Sequence, residues 1–504
     1  MVDTVWVFGD QLNRSIGALA EAQPGEVRVL LVELTDALAT RRYHRQRLHL
    51  VLTAMRRFAA ALEADGFEVD HRRAPTLLEG LAEHRREHRP GAVRATEPLS
   101  WGLERQLEGA GVDLVRSNQF LCHRSDFAAW AHGRKRLVME DFYREQRQRL
   151  GYLVDGDRPV GGRWNFDAEN REPPPRDGRD WPEPLVEPLD EIDFDVLAGL
   201  PETAFGADPE GWWPTTRAAA LARLDHVVRE VLPAFGPHED AMLTSGAGRN
   251  GANAWRLNHT MLSSSLNIGL LLPGEVCDAV EDAYRSGAVP LASAEGLLRQ
   301  IIGWREYVWG IYWLWMPGYR DLNELGATRP LPPAFAGEAP TAMACVAEAL
   351  GGIEERGWLH HIQRLMVLAN LAMLGGVSPQ AMSRWMATSF VDGSEWVMVP
   401  NLIGMAMHAD GGRMATKPYA GGGAYINRMS DHCRGCRYDP KQRVGEDACP
   451  FSTLYWDFLA RHRERFAENH RMKRAYANLD RLGDRGRIPA RAAEVLALLD
   501  EGRL

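Results

Sequence analysis

The chain of 504 residues is poor in cysteine, with only six. So few thiols over such a length exclude the disulfide framework of a secreted protein. There is no apolar run of the ~18 residues that a membrane helix needs. The opening MVDTVWVFGDQL lacks a basic region ahead of an apolar stretch, so it reads as a strand and not as a signal peptide. These absences lead us to expect a cytoplasmic protein with no membrane partner. Excess positive charge is missing too. A formal charge of −9 argues against general nucleic-acid affinity but leaves room for a local basic groove. No GxGxxG follows the first strand, so the usual dinucleotide fingerprint is absent.

What is present is organised around Tyr425–Leu459. Cys433-x2-Cys436 is followed after twelve residues by Cys449-Pro450. A CxxC pair with a third thiol beyond a polar loop suits one metal ion or one iron–sulfur cluster. The Cys-Pro ending leans towards iron–sulfur. A fourth ligand must come from far away in sequence, and Cys345 is the best candidate. Cys122 and Cys277 stand alone in apolar surroundings and read as buried thiols.

Length alone suggests two to four domains. Strand patterns at 4–8, 26–33, 67–74, 92–96 and 112–117 alternate with helical patterns at 44–65 and 77–87. That alternation predicts a parallel α/β sheet. Asp10 would stand at the carboxyl end of the first strand, in a turn role or near a ligand. The stretch VGGRWNFDAENREPPPRDGRDWPEP, rich in Gly, Pro and charge, predicts an extended connection. Beyond about 209 the pattern is helical, with segments near 215–233, 260–270, 274–286, 293–314, 341–374, 378–388 and 451–467. We therefore expect an α/β domain over 1–130, a linker over 131–208 and a helical domain over 209–504. Eleven of the sixteen tryptophans lie after residue 200. Most should pack the helical core, and some could stack on a ligand or pass electrons.

Three segments carry possible chemistry. Arg299, Gln300, Arg305 and Glu306 sit among apolar residues around Trp304, as an ion pair in a bundle or around an anionic cofactor. His259-Thr260-Met261-Leu262-Ser263 could open a phosphate site at a helix start, or merely cap the helix. His360-His361 heads a helical run. Adjacent positions point about 100° apart, so one of the two could face a pocket as a general acid.

Together these motifs resemble the photolyase/cryptochrome family. TMLSSSLNIG, RQIIGWREY, the HHIQR segment 360–364 and Asp392-Gly393-Ser394 carry the resemblance, with Ser394 where the family often has a second Asp. GDQL, VGGRWNFDAENR and the four cysteines resemble one branch, the iron–sulfur bacterial cryptochromes and photolyases, also called prokaryotic (6-4) photolyases. The resemblance implies a Rossmann-like antenna domain, a long linker and a helical domain binding FAD and a [4Fe–4S] cluster. It implies FAD contacts from Thr260, Leu262, Ser263, Gln300, Trp304, Arg305, Arg364, Asp392 and Asn401. Cys345, Cys433, Cys436 and Cys449 would hold the cluster. A 6,7-dimethyl-8-ribityllumazine antenna would sit near the GDQL turn.

The implied activity is light-driven repair of (6-4) pyrimidine–pyrimidone lesions in UV-damaged DNA by a monomer. His360, with His361 beside it, would donate a proton, and activity would fall above the folded-state pKa. The alternative is a blue-light receptor that binds FAD without repair. Trp385 matches one station of the family's electron-transfer chain. Gly337 and Met386 replace aromatic residues common in relatives, and Met398 replaces a common acid. Trp396 or Tyr419 could serve in their stead. The loop 243–258 looks longer than usual.

Overall fold

The computed structural model describes residues 2–245 and 251–504. Five parallel strands, β1 (Asp3–Val7), β2 (Val27–Leu34), β3 (Glu68–Ala74), β4 (Val93–Thr96) and β5 (Asp113–Val115), pair in the order β3-β2-β1-β4-β5. Trp6 pairs with Leu30 on one side and Ala95 on the other. Helices α1 (Arg45–Ala64), α2 (Leu77–His88) and α3 (Trp101–Gly109) provide the crossovers. Strand alternation sends Trp6, Phe8, Leu30 and Val32 to one face, against Leu81 of α2 and Leu107 of α3. Val5, Val7, Val29 and Leu31 face the other way, towards Leu50 and Ala54 of α1, in a core that continues into the helical half. A sheet covered on both faces has near-continuous apolar strands, which is why these were readable.

The expected linker is irregular over 171–190, but it is not a free tether. Trp181 is buried with Ala241, Leu243 and Leu257 of the helical half. The chain then forms α4 (Glu191–Ala198), opened by a reciprocal Asp190–Asp193 capping box. Nε2 of His49 on α1 lies 2.8 Å from Asp193 Oδ1, fixing α4 to the α/β half.

The helical half departs from the expected segments in three places. The run 341–374 is two helices, α6 (Ala344–Arg356) and α7 (Gln363–Ala369 continuing as Asn370–Gly375). Gly357, with φ of 59°, ends α6 in a left-handed turn. The helix expected at 260–270 shrinks to Ser263–Asn267. The run 293–314 is one long helix, α5, whose pieces Leu291–Leu298 and Glu306–Trp315 are joined by a π-helical stretch, Arg299–Arg305. The remaining helices used below are α8 (Pro379–Ser389), α9 (Glu395–Val399 continuing as Pro400–Ala406) and α10 (Pro450–Arg461). No described helix is long and apolar enough to cross a membrane.

Candidate active site

A cavity of about 370 Å³ opens among α5, α7, α9 and the segment before Ser263. All nine residues expected to contact a cofactor line it: Thr260, Leu262, Ser263, Gln300, Trp304, Arg305, Arg364, Asp392 and Asn401. Three π-helical stretches, Arg299–Arg305, Gln363–Ala369 and Pro400–Ala406, contribute to its wall. Such stretches widen a helix locally and recur at functional sites.

One end of the cavity is built on a buried ion pair. Nη1 and Nη2 of Arg364 donate to Oδ1 and Oδ2 of Asp392 at 2.8 and 3.1 Å. Ser263 Oγ donates to Asp392 Oδ2 at 2.6 Å, and Arg364 Nε donates to Leu359 O at 2.8 Å. The guanidinium also lies 4.1 Å from the Phe390 ring centroid. A buried pair is tolerable when its remaining hydrogen-bonding positions are filled in this way.

Further round the cavity, buried Arg305 pairs with Glu306 at 3.2 Å and lies 5.2 Å from the ring of Trp396. Its Nε has no partner. Gln300 donates to Glu239 Oε1 at 2.7 Å. Burial pushes the Glu239 carboxyl up to about 7. A wall that mixes apolar side chains with a buried cation and polar groups fits a large, partly anionic cofactor such as FAD.

The two expected histidines reach this cavity in different states. His360 is buried and neither ring nitrogen has a partner. Burial, followed by the charges of His259 and His361, holds its pKa well below the ordinary value. His361 stands at the cavity mouth, with 47 % of its side chain accessible, and its Nε2 lies 3.4 Å from Asp240 Oδ1. Close packing opposes its charge, but the Asp240 hydrogen bond and carboxylate outweigh this and raise its pKa.

His259 entered the sequence reading only as the first residue of a candidate phosphate segment, with no role of its own. It stacks on His360 with centroids 4.4 Å apart and planes 7° from parallel. Its only sequence signal is its place just before Thr260.

His361, Glu239, Gln300 and Trp304 also line a second, open cleft of about 950 Å³. Arg171, Arg299, Lys417 and Arg443 give this cleft positive charge, and Tyr419, Tyr425 and Trp456 give it aromatic faces. Cations beside aromatic rings suit a nucleic-acid backbone with an unstacked base. Of the loop 243–258, residues 246–250 lie outside the described residues.

The four expected cysteines converge. Cys345 opens α6, Cys449 precedes Pro450 at the start of α10, and Cys433 and Cys436 flank the turn between. All four line one small cavity with Met343, Ile426 and Tyr438. Burial, and then the nearness of Cys449, Cys433 and Cys436, pushes the Cys345 thiol well up. Cys433 is pushed up to about 12, chiefly by burial. Among the described residues, two groups bring at least three ligand atoms within 4.8 Å of one another, and neither contains these thiols. Four thiols converging on one cavity suit a metal ion or an iron–sulfur cluster.

Trp385 does not line the 370 Å³ cavity. It packs on Phe335 at 5.0 Å and on Phe390 at 6.3 Å, and it faces a wide interdomain cavity of about 1600 Å³ together with Gly337. Met386 and Met398 do line the smaller cavity, as does Trp396, whose ring is 5.7 Å from Trp309, itself 5.5 Å from Trp313. The interdomain cavity is walled by Leu34 at the end of β2, by Arg41 and Tyr43 beyond it, and by Ser100 and Leu103 beyond β4. Asp10 of the GDQL turn does not line it. Asp10 is half-buried with its Oδ1 enclosed, and burial raises its carboxyl to about 6.

A family model described as deoxyribodipyrimidine photo-lyase-related protein matches residues 5–206. The chain is 41 % identical to a (6-4) photolyase of Agrobacterium fabrum, over 99 % of this chain and all of the relative. It is 27 % identical over 101 residues to uncharacterized protein R855 of Acanthamoeba polyphaga mimivirus, covering 20 % of this chain and 75 % of that one. A crystal structure of a bacterial class III photolyase from Agrobacterium tumefaciens superposes with a TM-score of 0.55 at 16 % identity, covering 99 % and 98 % of the two chains. That likeness bears on the fold: a five-stranded parallel sheet joined to a large helical half.

Proposed function

The chain belongs to the (6-4) photolyase family, and from that membership we propose that it is a DNA-repair lyase reversing (6-4) pyrimidine–pyrimidone lesions under light. The observation that carries this reading is the place of His361. It stands where the cofactor-sized cavity meets the cationic cleft, with Asp240 favouring its protonated form. A light receptor without repair needs no proton donor at that point.

FAD is the cofactor of this family, and when bound and reduced it supplies, on excitation, the electron that opens the lesion. The residues that would hold it are Thr260, Leu262, Ser263, Gln300, Trp304, Arg305, Arg364, Asp392 and Asn401. Arg305 and the Ser263 end would meet anionic groups. The Arg364–Asp392 pair fixes the local field without adding net charge. Trp304 and Gln300 lie between cavity and cleft, where a flipped base would arrive. His361 would hold a proton on Nε2 and give it to the lesion. His360, buried and neutral, would support His361 and stack on His259, which reverses the order of roles expected from the sequence.

Cys345, Cys433, Cys436 and Cys449 would ligate a [4Fe–4S] cluster, a reading supported by their shared cavity. The interdomain cavity would take the lumazine antenna, at the carboxyl ends of β2 and β4. We retain the division into 1–130, 131–208 and 209–504, with α4 packed on the first part. Illuminating the reduced, FAD-loaded protein with a (6-4)-damaged oligonucleotide tests the proposal. Restored pyrimidines support it, and lesion left intact under full excitation overturns it in favour of a receptor.

A further inference from the structure

β3 is an edge strand, paired only with β2, and α2 leads away from it. His84 and His88 stand one turn apart on α2, with His88 its last residue. Asp70 lies on β3 opposite them. Its Oδ2 is 2.5 Å from His84 Nδ1 and 3.3 Å from His88 Nε2. The three ligand atoms all fall within 4.8 Å of one another. None of these residues lines the cofactor cavity or the cleft.

We infer that Asp70, His84 and His88 form a binding site for one divalent transition-metal ion of the zinc type. Histidines at i and i+4 share a helix face, as a helical metal-binding pair requires. Metal–ligand bonds of about 2.0–2.2 Å put tetrahedral ligands roughly 3.3 Å apart. The Asp70–His88 separation of 3.3 Å already has that value. The Asp70–His84 contact at 2.5 Å is a hydrogen bond, which must open by under ~1 Å. The proton it shares is released as the ion enters.

The surroundings favour this use. Nε2 of buried His84 lies 2.8 Å from Thr4 Oγ1, which commits that nitrogen and leaves Nδ1 as the ring's ligand atom. Arg72 holds both oxygens of Asp70, with Nε 3.0 Å from each and Nη2 donating to Oδ2, so the guanidinium must shift onto Oδ1 and Glu87 for Oδ2 to take the metal. Arg72 has a second partner in Glu87 at 3.1 Å. Glu87 Oε1 is 3.8 Å from His88 Nε2, within reach of a fourth coordination position. Two imidazoles and a carboxylate select zinc, nickel or copper over magnesium. His84 is closed off, while 21 % of the His88 side chain is accessible, so the ion would arrive from solvent. Bound there, it would clip the end of α2 to the outer strand of the sheet.

Calorimetric titration of the chelator-treated, dialysed holoprotein with zinc chloride tests this. We expect one equivalent bound, at least ten-fold weaker binding in both His88→Ala and Asp70→Asn, and a zinc-dependent rise in Tm that both variants lose. His88 ends its helix and is partly exposed, so its replacement leaves the fold intact, and unliganded Tm checks this. Zinc bound equally well by His88→Ala, no zinc binding at all, or magnesium binding as tightly as zinc would each overturn the assignment.

Discussion

Oδ1 of Asp240 lies 3.4 Å from Nε2 of His361, and this contact keeps a proton on an imidazole that its packing would otherwise discharge. A group whose folded pKa is raised is protonated below that value and loses its proton as the pH rises through it. Repair should therefore be full on the acid side and fall as pH climbs past a point above the ordinary histidine value of 6.5. Asp240→Asn should move that fall to lower pH, read as repair yield against pH at constant illumination.

The two neighbouring histidines should respond unequally. His361→Ala should reduce repair by roughly 10²–10⁴-fold, the usual range for a lost general acid. His360→Ala should cost less in repair and more in thermal stability, because it empties the buried stack on His259. Repair yield and Tm measured on the same two variants separate these outcomes.

Asp392→Asn would leave the Arg364 guanidinium beside a neutral amide in a buried setting. Breaking one side of such a pair costs about 3–5 kcal/mol. A clear drop in Tm and weaker retention of FAD after gel filtration are expected, with little loss of bound iron.

Burial pushes the Cys345, Cys433 and Cys449 thiols towards the protonated form, so uptake of a metal centre must release protons. Replacing Cys433 by Ala should abolish the bound iron and lower the yield of soluble protein. Iron and sulfide analysis of the native protein should give a cluster rather than zinc. A soluble, flavin-loaded Cys433→Ala protein with normal Tm would count against a structural cluster.

Trp385 does not line the cofactor cavity, and its ring neighbours are Phe335 and Phe390, which are poor relays for an electron. Trp396 lines the cavity itself and continues through Trp309 to Trp313. Trp396→Phe should slow flavin photoreduction by a thiol more than Trp385→Phe does, as followed by bleaching of the oxidised flavin band.

Much of this was legible in the sequence because it depended on local pattern. The central strands β1 and β2 were apolar on both faces, the cysteines were few enough for their grouping to stand out, and the histidine pair was adjacent. Other features were set by packing. Gly351, Gly352 and Gly357 all could have stopped a helix, and only the turn at Gly357 does. His259 and Asp240 acquire their meaning from partners more than a hundred residues away, His360 and His361. The antenna was expected near the GDQL turn, whereas the widest room lies between the two halves, where loops beyond β2 and β4 meet α8 and α9, and Asp10 does not line it.

The π-helical stretch Arg299–Arg305 makes the cofactor wall a matter of phase. An α-helix advances about 100° per residue. A π-stretch takes up an extra residue, so the halves of α5 before and after it are indexed differently around one axis. Removing a single residue there would let hydrogen bonding close up as an ordinary helix, yet everything downstream, from Glu306 to Trp315, would turn by about a quarter of a circle. Length in that stretch is thus under as much constraint as residue identity.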